Sequence, residues 1–249
     1  MSRYLRVRIV ADRVIAALLL VPCAPVIAAL GWLVRRHDGG PALIAVERIG
    51  RGGTTFRMWK LRSMRADTST SRATGVSLTA EKDDRITPIG HKMRGAHPDE
   101  LPQLLNVVRV EIALLGPRPE APEYVNDTDP GWRAVLAAPP AIAGPTELAV
   151  GDWERDVITA APDGSVYESE VLPVKVAIDR WYVEQATPAI DMRVVLGLVQ
   201  RLVGRTASAV IGPVRARVPL AARALPTART GTSADAGSVA STATIVGRS

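Results

Sequence analysis

The stretch Val14–Val34, VIAALLLVPCAPVIAALGWLV, carries no charged residue, and its reading decides how the rest of the chain is arranged. As a helix, its 21 residues reach roughly 30 Å, about the thickness of one hydrocarbon core. Three arrangements compete. A cleaved export signal has a shorter apolar core, and Arg35 and Arg36 directly after the segment oppose export. A single spanning helix concentrates positive charge at its cytoplasmic end. Here Arg3, Arg6, Arg8 and Arg13 precede the segment while Arg35, Arg36 and His37 follow it, so both ends read as cytoplasmic. Pro22 and Pro25 each remove a backbone donor and crowd the preceding turn, which kinks or breaks a helix. Two prolines three residues apart can turn the segment back toward its entry face, as a re-entrant helical hairpin in one leaflet. Prolines are equally tolerated in a kinked spanning helix. The residues alone leave these two forms level.

Working outward, a turn cluster at His37–Pro41 is followed by two short strands, 42–50 and 54–62, joined through Gly50-Arg51-Gly52-Gly53 as a hairpin. Residues 66–84 are polar and read as a surface loop. Asp99–Val108 reads as a helix with Leu101, Leu104, Leu105 and Val108 on one stripe, Asp99 at its N-cap and Pro102 in its first turn. Gly116-Pro117-Arg118-Pro119 is a stiff loop, residues 130–170 are too rich in Pro and Gly to assign, and 171–184 and 191–202 read as two further helices. The expected fold is α+β and mostly helical. Residues 1–37 hold the membrane segment (the re-entrant hairpin, on the resemblance given below), 38–204 a small domain containing the β-hairpin, and 205–249 a disordered basic tail.

A chain of 249 residues is one domain, or one domain plus appendages, and its net charge of +6 suits an anionic partner. Nucleic acid is not expected, because the Arg residues are scattered, no recognition motif occurs and only 4% of residues are aromatic. Anionic inner-leaflet headgroups and phosphorylated substrates are the expected partners. The single cysteine, Cys23, lies in the apolar run and rules out an intrachain disulfide.

Two constellations carry chemistry. In His97-Pro98-Asp99-Glu100-Leu101-Pro102-Gln103, two carboxylates sit side by side. Adjacent acids at a helix start are explained without chemistry by the helix dipole. Functionally, an aspartate needs no separate base, since its ordinary pKa of about 3.9 leaves it ionised at neutral pH, and it can attack phosphorus to form an acyl phosphate. Repulsion from an anionic diphosphate is then countered by a helix N-terminus, by Mg²⁺ on the neighbouring carboxylate and by nearby arginines. The second constellation is a set of phosphate-binding candidates: Lys60 and Arg62 at the end of the second strand, Arg85, Arg94 and Arg118. Arg118 stands out because a proline on each side fixes its backbone. His91 and His97 lack metal-ligand spacing and read as surface residues.

Together these blocks resemble the bacterial sugar transferase family, the monotopic polyprenyl-phosphate phosphoglycosyl transferases, over roughly residues 8–200. The matching blocks are Lys60-Leu61-Arg62-Ser63-Met64, Asp84-Arg85-Ile86-Thr87, Asp99-Glu100-Leu101-Pro102-Gln103 with Asn106, and Leu115-Gly116-Pro117-Arg118-Pro119 followed by Pro122-Glu123-Tyr124. Asp12 and the pair Ala24-Pro25 fit the family's membrane hairpin. The chain departs from the pattern at Val46, at Leu61 and in Pro140–Glu147. The resemblance tips the apolar segment toward the re-entrant form and implies ping-pong chemistry at the inner leaflet of the bacterial cytoplasmic membrane. Asp99 would attack the sugar-proximal phosphate of a UDP-sugar and expel UMP, and polyprenyl phosphate would then take the sugar phosphate from Asp99. Glu100 would hold Mg²⁺, and Lys60, Arg62, Arg85, Arg94, Gln103 and Arg118 would bind substrate. A membrane scaffold that keeps the fold without turnover is the alternative.

Overall fold

The computed structural model describes residues 2–65, 83–161 and 163–202. The expected tail at 205–249 and nearly all of the expected loop at 66–84 lie outside them.

The first element is one helix, α1 (Arg3–Asp38), which starts at Ser2, whose hydroxyl accepts from the Leu5 N–H, and ends at the left-handed Gly39. The expected helix break is not found. Pro22 and Pro25 lie inside an unbroken helical run. A proline costs a helix one hydrogen bond and one crowded turn, and packing along the rest of the helix outweighs that local loss. Its inward residues Leu5, Asp12, Ala16, Gly31 and Val34 are buried, whereas Val7, Val10, Val14, Leu18 and Val21 are exposed. The spacing of three and four puts each set on its own stripe, so α1 is apolar on both faces and only one face meets protein.

The inward stripe touches the domain along its whole length. Leu5 packs with Tyr182, Val183 and Ala186, Ala16 with Leu104, Val107 and Ile112, and Val34 with Leu61 and Met93. The expected hairpin is present as β1 (Leu43–Ile49) and β2 (Thr55–Leu61), paired antiparallel with Ala45 opposite Trp59. Gly52 and Gly53 turn it with φ of 71° and 80°, values that only glycine adopts cheaply.

Helix α2 (Pro88–Ala96) follows, an element missing from the sequence reading, capped by the Thr87 hydroxyl with Pro88 at its first position. The expected helix at 99–108 is shorter and tighter than its apolar stripe implied. Pro98–Gln103 is a 3₁₀ turn, and only α3 (Leu104–Val108) is α-helical. Asp99 is therefore not an N-cap. His97, in a left-handed conformation at φ 56°, starts the turn, and the two flanking prolines keep it from winding as an α-helix.

Beyond come β3 (Ala113–Leu115), α4 (Pro130–Leu136), β4 (Ala141–Ala143), α5 (Pro145–Ala160), α6 (Leu172–Gln185) and α7 (Pro188–Leu202). β3 and β4 form a second, parallel two-stranded sheet. The block 130–170 thus holds two helices and a strand that its Pro and Gly content hid. Pro130 and Pro145 both sit at helix starts, where proline is favoured. Beneath α4, α5 and α6 lies a buried ionic knot. The Lys175 ammonium is 2.6 Å from both Glu120 and Glu154 and donates to the Tyr167 hydroxyl at 2.9 Å.

Candidate active site

The 3₁₀ turn lies against β2, and this contact brings Asp99 under the end of the hairpin. Asp99 is only 3% exposed and sits 3.5 Å from the Lys60 ammonium. Alternation along β2 aims Lys60 at the turn and buries its neighbour Leu61 against α1. The carboxylate of Glu100, next in the turn, takes a 2.6 Å hydrogen bond from Arg118. Burial pushes the Glu100 carboxyl up, but Arg118, helped by Lys60 and His97, outweighs it and holds the group below the ordinary carboxylate range. Glu100 is thus an anion at neutral pH. Arg118 also donates to the Ile142 carbonyl at 3.3 Å, so β4 fixes the guanidinium from behind.

Arg94, near the C-terminus of α2, donates to the Ser63 hydroxyl at 3.1 Å. Burial lowers its guanidinium, and the negative charges of Asp99 and Asp83 oppose that. Gly90 makes this arrangement possible, since a Cβ there would lie 2.0 Å from the Ser63 carbonyl oxygen. Arg85 grips Asp83 at 2.5 Å and stands near Arg94, one layer out from Asp99.

Two further candidates, Arg62 and Gln103, are buried. Arg62 is buried and ion-paired to Asp38 at the end of α1, so it ties helix to hairpin rather than facing Asp99. Gln103 is 1% exposed and its amide nitrogen makes no hydrogen bond. His91 and His97 are exposed, as expected. Lys60, Arg94 and Arg118 are the expected cations that the fold gathers around Asp99 and Glu100.

The sequence reading missed the supporting residues. Ser63 orients Arg94, and Asp38 orients Arg62. Asn106 accepts from the Trp59 N–H at 3.0 Å and donates to the Arg57 carbonyl at 2.8 Å, which locks α3 to β2. Asn106 is marked in the sequence by its place in the family-like block after Gln103 and as an uncharged polar residue inside an apolar stripe, neither of which shows the partners it binds.

The metal question turns on donor chemistry. Among the described residues no group of three or more His, Cys, Asp or Glu can hold an ion. Mg²⁺ commonly uses one or two protein carboxylates and takes its other ligands from substrate phosphates and water. An ionised Glu100 beside Asp99 fits that pattern.

A buried Asp99 and a half-buried Glu100 among three cations, on a domain packed along a helix whose outer face is bare and apolar, are the class of site and scaffold that suit an anionic group. The sequence comparisons name it more closely. The family model of bacterial sugar transferases matches residues 3–205, and the chain belongs to that family. A Caulobacter vibrioides UDP-glucose:undecaprenyl-phosphate glucose-1-phosphate transferase is 32% identical over 198 residues, 78% of this chain and 68% of that protein. An Aeromonas hydrophila UDP-N-acetylgalactosamine-undecaprenyl-phosphate N-acetylgalactosaminephosphotransferase is 26% identical over 76% of this chain and 42% of its own length. The exopolysaccharide production protein ExoY of Sinorhizobium fredii is 30% identical over 53% of this chain and 64% of its own.

Proposed function

We propose that this enzyme transfers a sugar 1-phosphate from a UDP-sugar to polyprenyl phosphate, as the initiating step of exopolysaccharide or other glycoconjugate synthesis. The observation that carries the reading is Asp99, a buried carboxylate 3.5 Å from Lys60 and adjacent to an ionised Glu100 that Arg118 holds in place. In the first half-reaction an Asp99 oxygen bonds to the sugar-bearing phosphorus as the bridging P–O bond breaks, and the electron pair leaves on UMP. In the second, a phosphate oxygen of the lipid bonds to the same phosphorus, the Asp99 O–P bond breaks and the carboxylate is regenerated.

The three cations offset the charge that would otherwise repel a diphosphate from a carboxylate. Because Asp99 lies in a 3₁₀ turn, this task falls on Lys60, Arg94 and Arg118 rather than on a helix dipole. Glu100 is the residue to hold Mg²⁺, whose chemistry when bound is to neutralise phosphate charge. Arg85, paired with Asp83, adds positive charge near Arg94.

The helix supports a monotopic placement on the cytoplasmic side. The domain flanks α1 from Leu5 to Val34, and charged contacts tie down both ends, Arg8 to Asp191 and Asp38 to Arg62. A crossing helix would draw that domain's charges and irregular backbone into hydrocarbon, at a high cost. In a Cys23→Ser background, cysteines at Arg3 and at His37 should both escape an impermeant thiol reagent in intact cells. Labelling of either one sinks the one-sided placement.

The reaction is tested with a panel of UDP-sugars, Mg²⁺ and undecaprenyl phosphate. UMP and a lipid diphosphate sugar are the expected products for at least one donor. A silent panel with folded, membrane-bound protein would count against turnover.

A further inference from the structure

β3 is three residues long and, among the described residues, pairs with β4 alone, and part of its backbone faces α1. An apolar helix surface would leave those groups unsatisfied, which is costly for buried backbone. Two charged residues of α1 meet them instead. The Asp12 carboxylate accepts from the Leu114 N–H at 3.2 Å, and the Arg8 guanidinium donates to the Leu115 carbonyl. Arg8 is itself held on several sides. It lies 2.6 Å from Asp191, donates to the Tyr182 hydroxyl and stands 3.5 Å from Asp12. Tyr4 and Tyr182 each donate to Asp191 at 2.6 Å and fix that carboxylate in turn.

What Arg8 grips leads straight into the active site. Leu115 is followed by Gly116, Pro117 and Arg118, so two residues separate the clamped carbonyl from the guanidinium that holds Glu100. Neither is slack. The Gly116 N–H donates to the Ala143 carbonyl at 3.0 Å, and a Cβ on Gly144 would lie 2.0 Å from the Gly116 oxygen. Pro117 fixes its own φ. Residues 115–118 are thus held as one short run between α1 and β4, and the seating of Leu115 on α1 is one side of the frame from which Arg118 extends.

We propose that Arg8 and Asp12 are positioning residues for the transfer reaction, clamping β3 so that Arg118 meets Glu100. The proposal rests on the assignment of Asp99 and Glu100 made above. It makes the seating of the N-terminal helix part of the catalytic geometry as well as an anchor. Lysine cannot replace Arg8, since one ammonium cannot reach the carbonyl, the hydroxyl and two carboxylates in the fixed fork of a guanidinium.

The test uses the full-length, membrane-reconstituted enzyme and two readouts. In Arg8→Lys and in Asp12→Ala, amide exchange of the 113–119 segment should rise while the rest of the core keeps its protection. Turnover should fall by about tenfold with the KM for the UDP-sugar within about twofold, since displacements of this kind act on geometry more than on ground-state binding. In an Arg118→Lys background the Arg8→Lys change should cost less than about twofold, because the group it positions is already lost. Unchanged exchange at 113–119 overturns the clamp, as does a turnover loss that multiplies fully in the double variant. Exchange that rises uniformly across the domain also overturns it, showing a purely structural role. If wild type turns over no donor at all, the reaction assignment fails, and the exchange pattern still decides the clamp.

Discussion

Asp99→Asn should keep the fold and lose at least about 10⁴-fold in UMP release. The substitution preserves shape at a position that is 3% exposed, and it removes one anion from a site where Lys60 and Arg94 supply positive charge, so no new unpaired negative charge is buried. What it removes is the nucleophile. An amide oxygen does not form a stable bond to phosphorus under these conditions, so the first half-reaction stops and no later step compensates. Incubation of wild type with the UDP-sugar alone, without lipid acceptor, should yield at most one UMP per enzyme and a protein heavier by one sugar phosphate. Peptide mapping should place that mass on Asp99, and Asp99→Asn should show neither the burst nor the mass. Turnover of the variant within about 100-fold of wild type, or the adduct on another residue, defeats the covalent mechanism.

The largest effect on stability should come from Lys175→Met. Lys175 is 4% exposed at its side chain and serves Glu120, Glu154 and Tyr167 together. Removing one partner of a buried ionic cluster costs about 3–5 kcal/mol, because the charge left behind keeps its desolvation penalty. For a chain of this size that lowers Tm by roughly 10 °C. The pH dependence carries a sign. Burial pushes Glu120 up, and Lys175, with Arg48 and Tyr167, outweighs it and holds the carboxyl below its usual range. A depressed carboxyl contributes stability that is present above its unfolded value of about 4.3 and is lost as pH falls through the folded value. Without Lys175, burial regains the upper hand and Glu120 rises, so the variant sheds its penalty as Glu120 takes up a proton. The gap in Tm between wild type and variant should therefore be widest near pH 7 and narrow toward pH 4. Lys175→Met combined with Glu120→Gln should recover part of the loss at pH 7. A gap that does not change with pH would show that lost packing, not uncompensated charge, dominates.

How far the site was legible varies by residue. Asp99, Glu100, Lys60, Arg94 and Arg118, which the fold brings together, could be picked out as candidates because acids and arginines in short, proline-marked blocks are chemically conspicuous. Arg62 and Gln103 lie in the same blocks, yet the fold turns one toward Asp38 and buries the other. Adjacency in the chain says nothing about which way a side chain leaves its turn. Helix α2 and the helices within 130–170 were missed because they are short or weakly patterned and start at prolines, which read as breakers unless the first helical position is recognised. The opposite error occurred at 99–108, where an apolar stripe read as one α-helix and Pro98 and Pro102 made its first half a 3₁₀ turn.

By itself the sequence determined an uncharged segment long enough to matter to a membrane, a β-hairpin, a carboxylate pair and a set of cations. These are local properties of residue type and spacing, and they hold whatever the rest of the chain does. Only the tertiary structure decided that Pro22 and Pro25 sit within one helix, that this helix is gripped along its length by a single domain, and that Arg8, 110 positions before Arg118, bonds to the backbone that carries it. The reason is physical. A kink, a buried ion pair and a hydrogen bond to the free edge of a short strand are each settled by what packs against them, and packing joins residues whose separation along the chain leaves no periodicity to read.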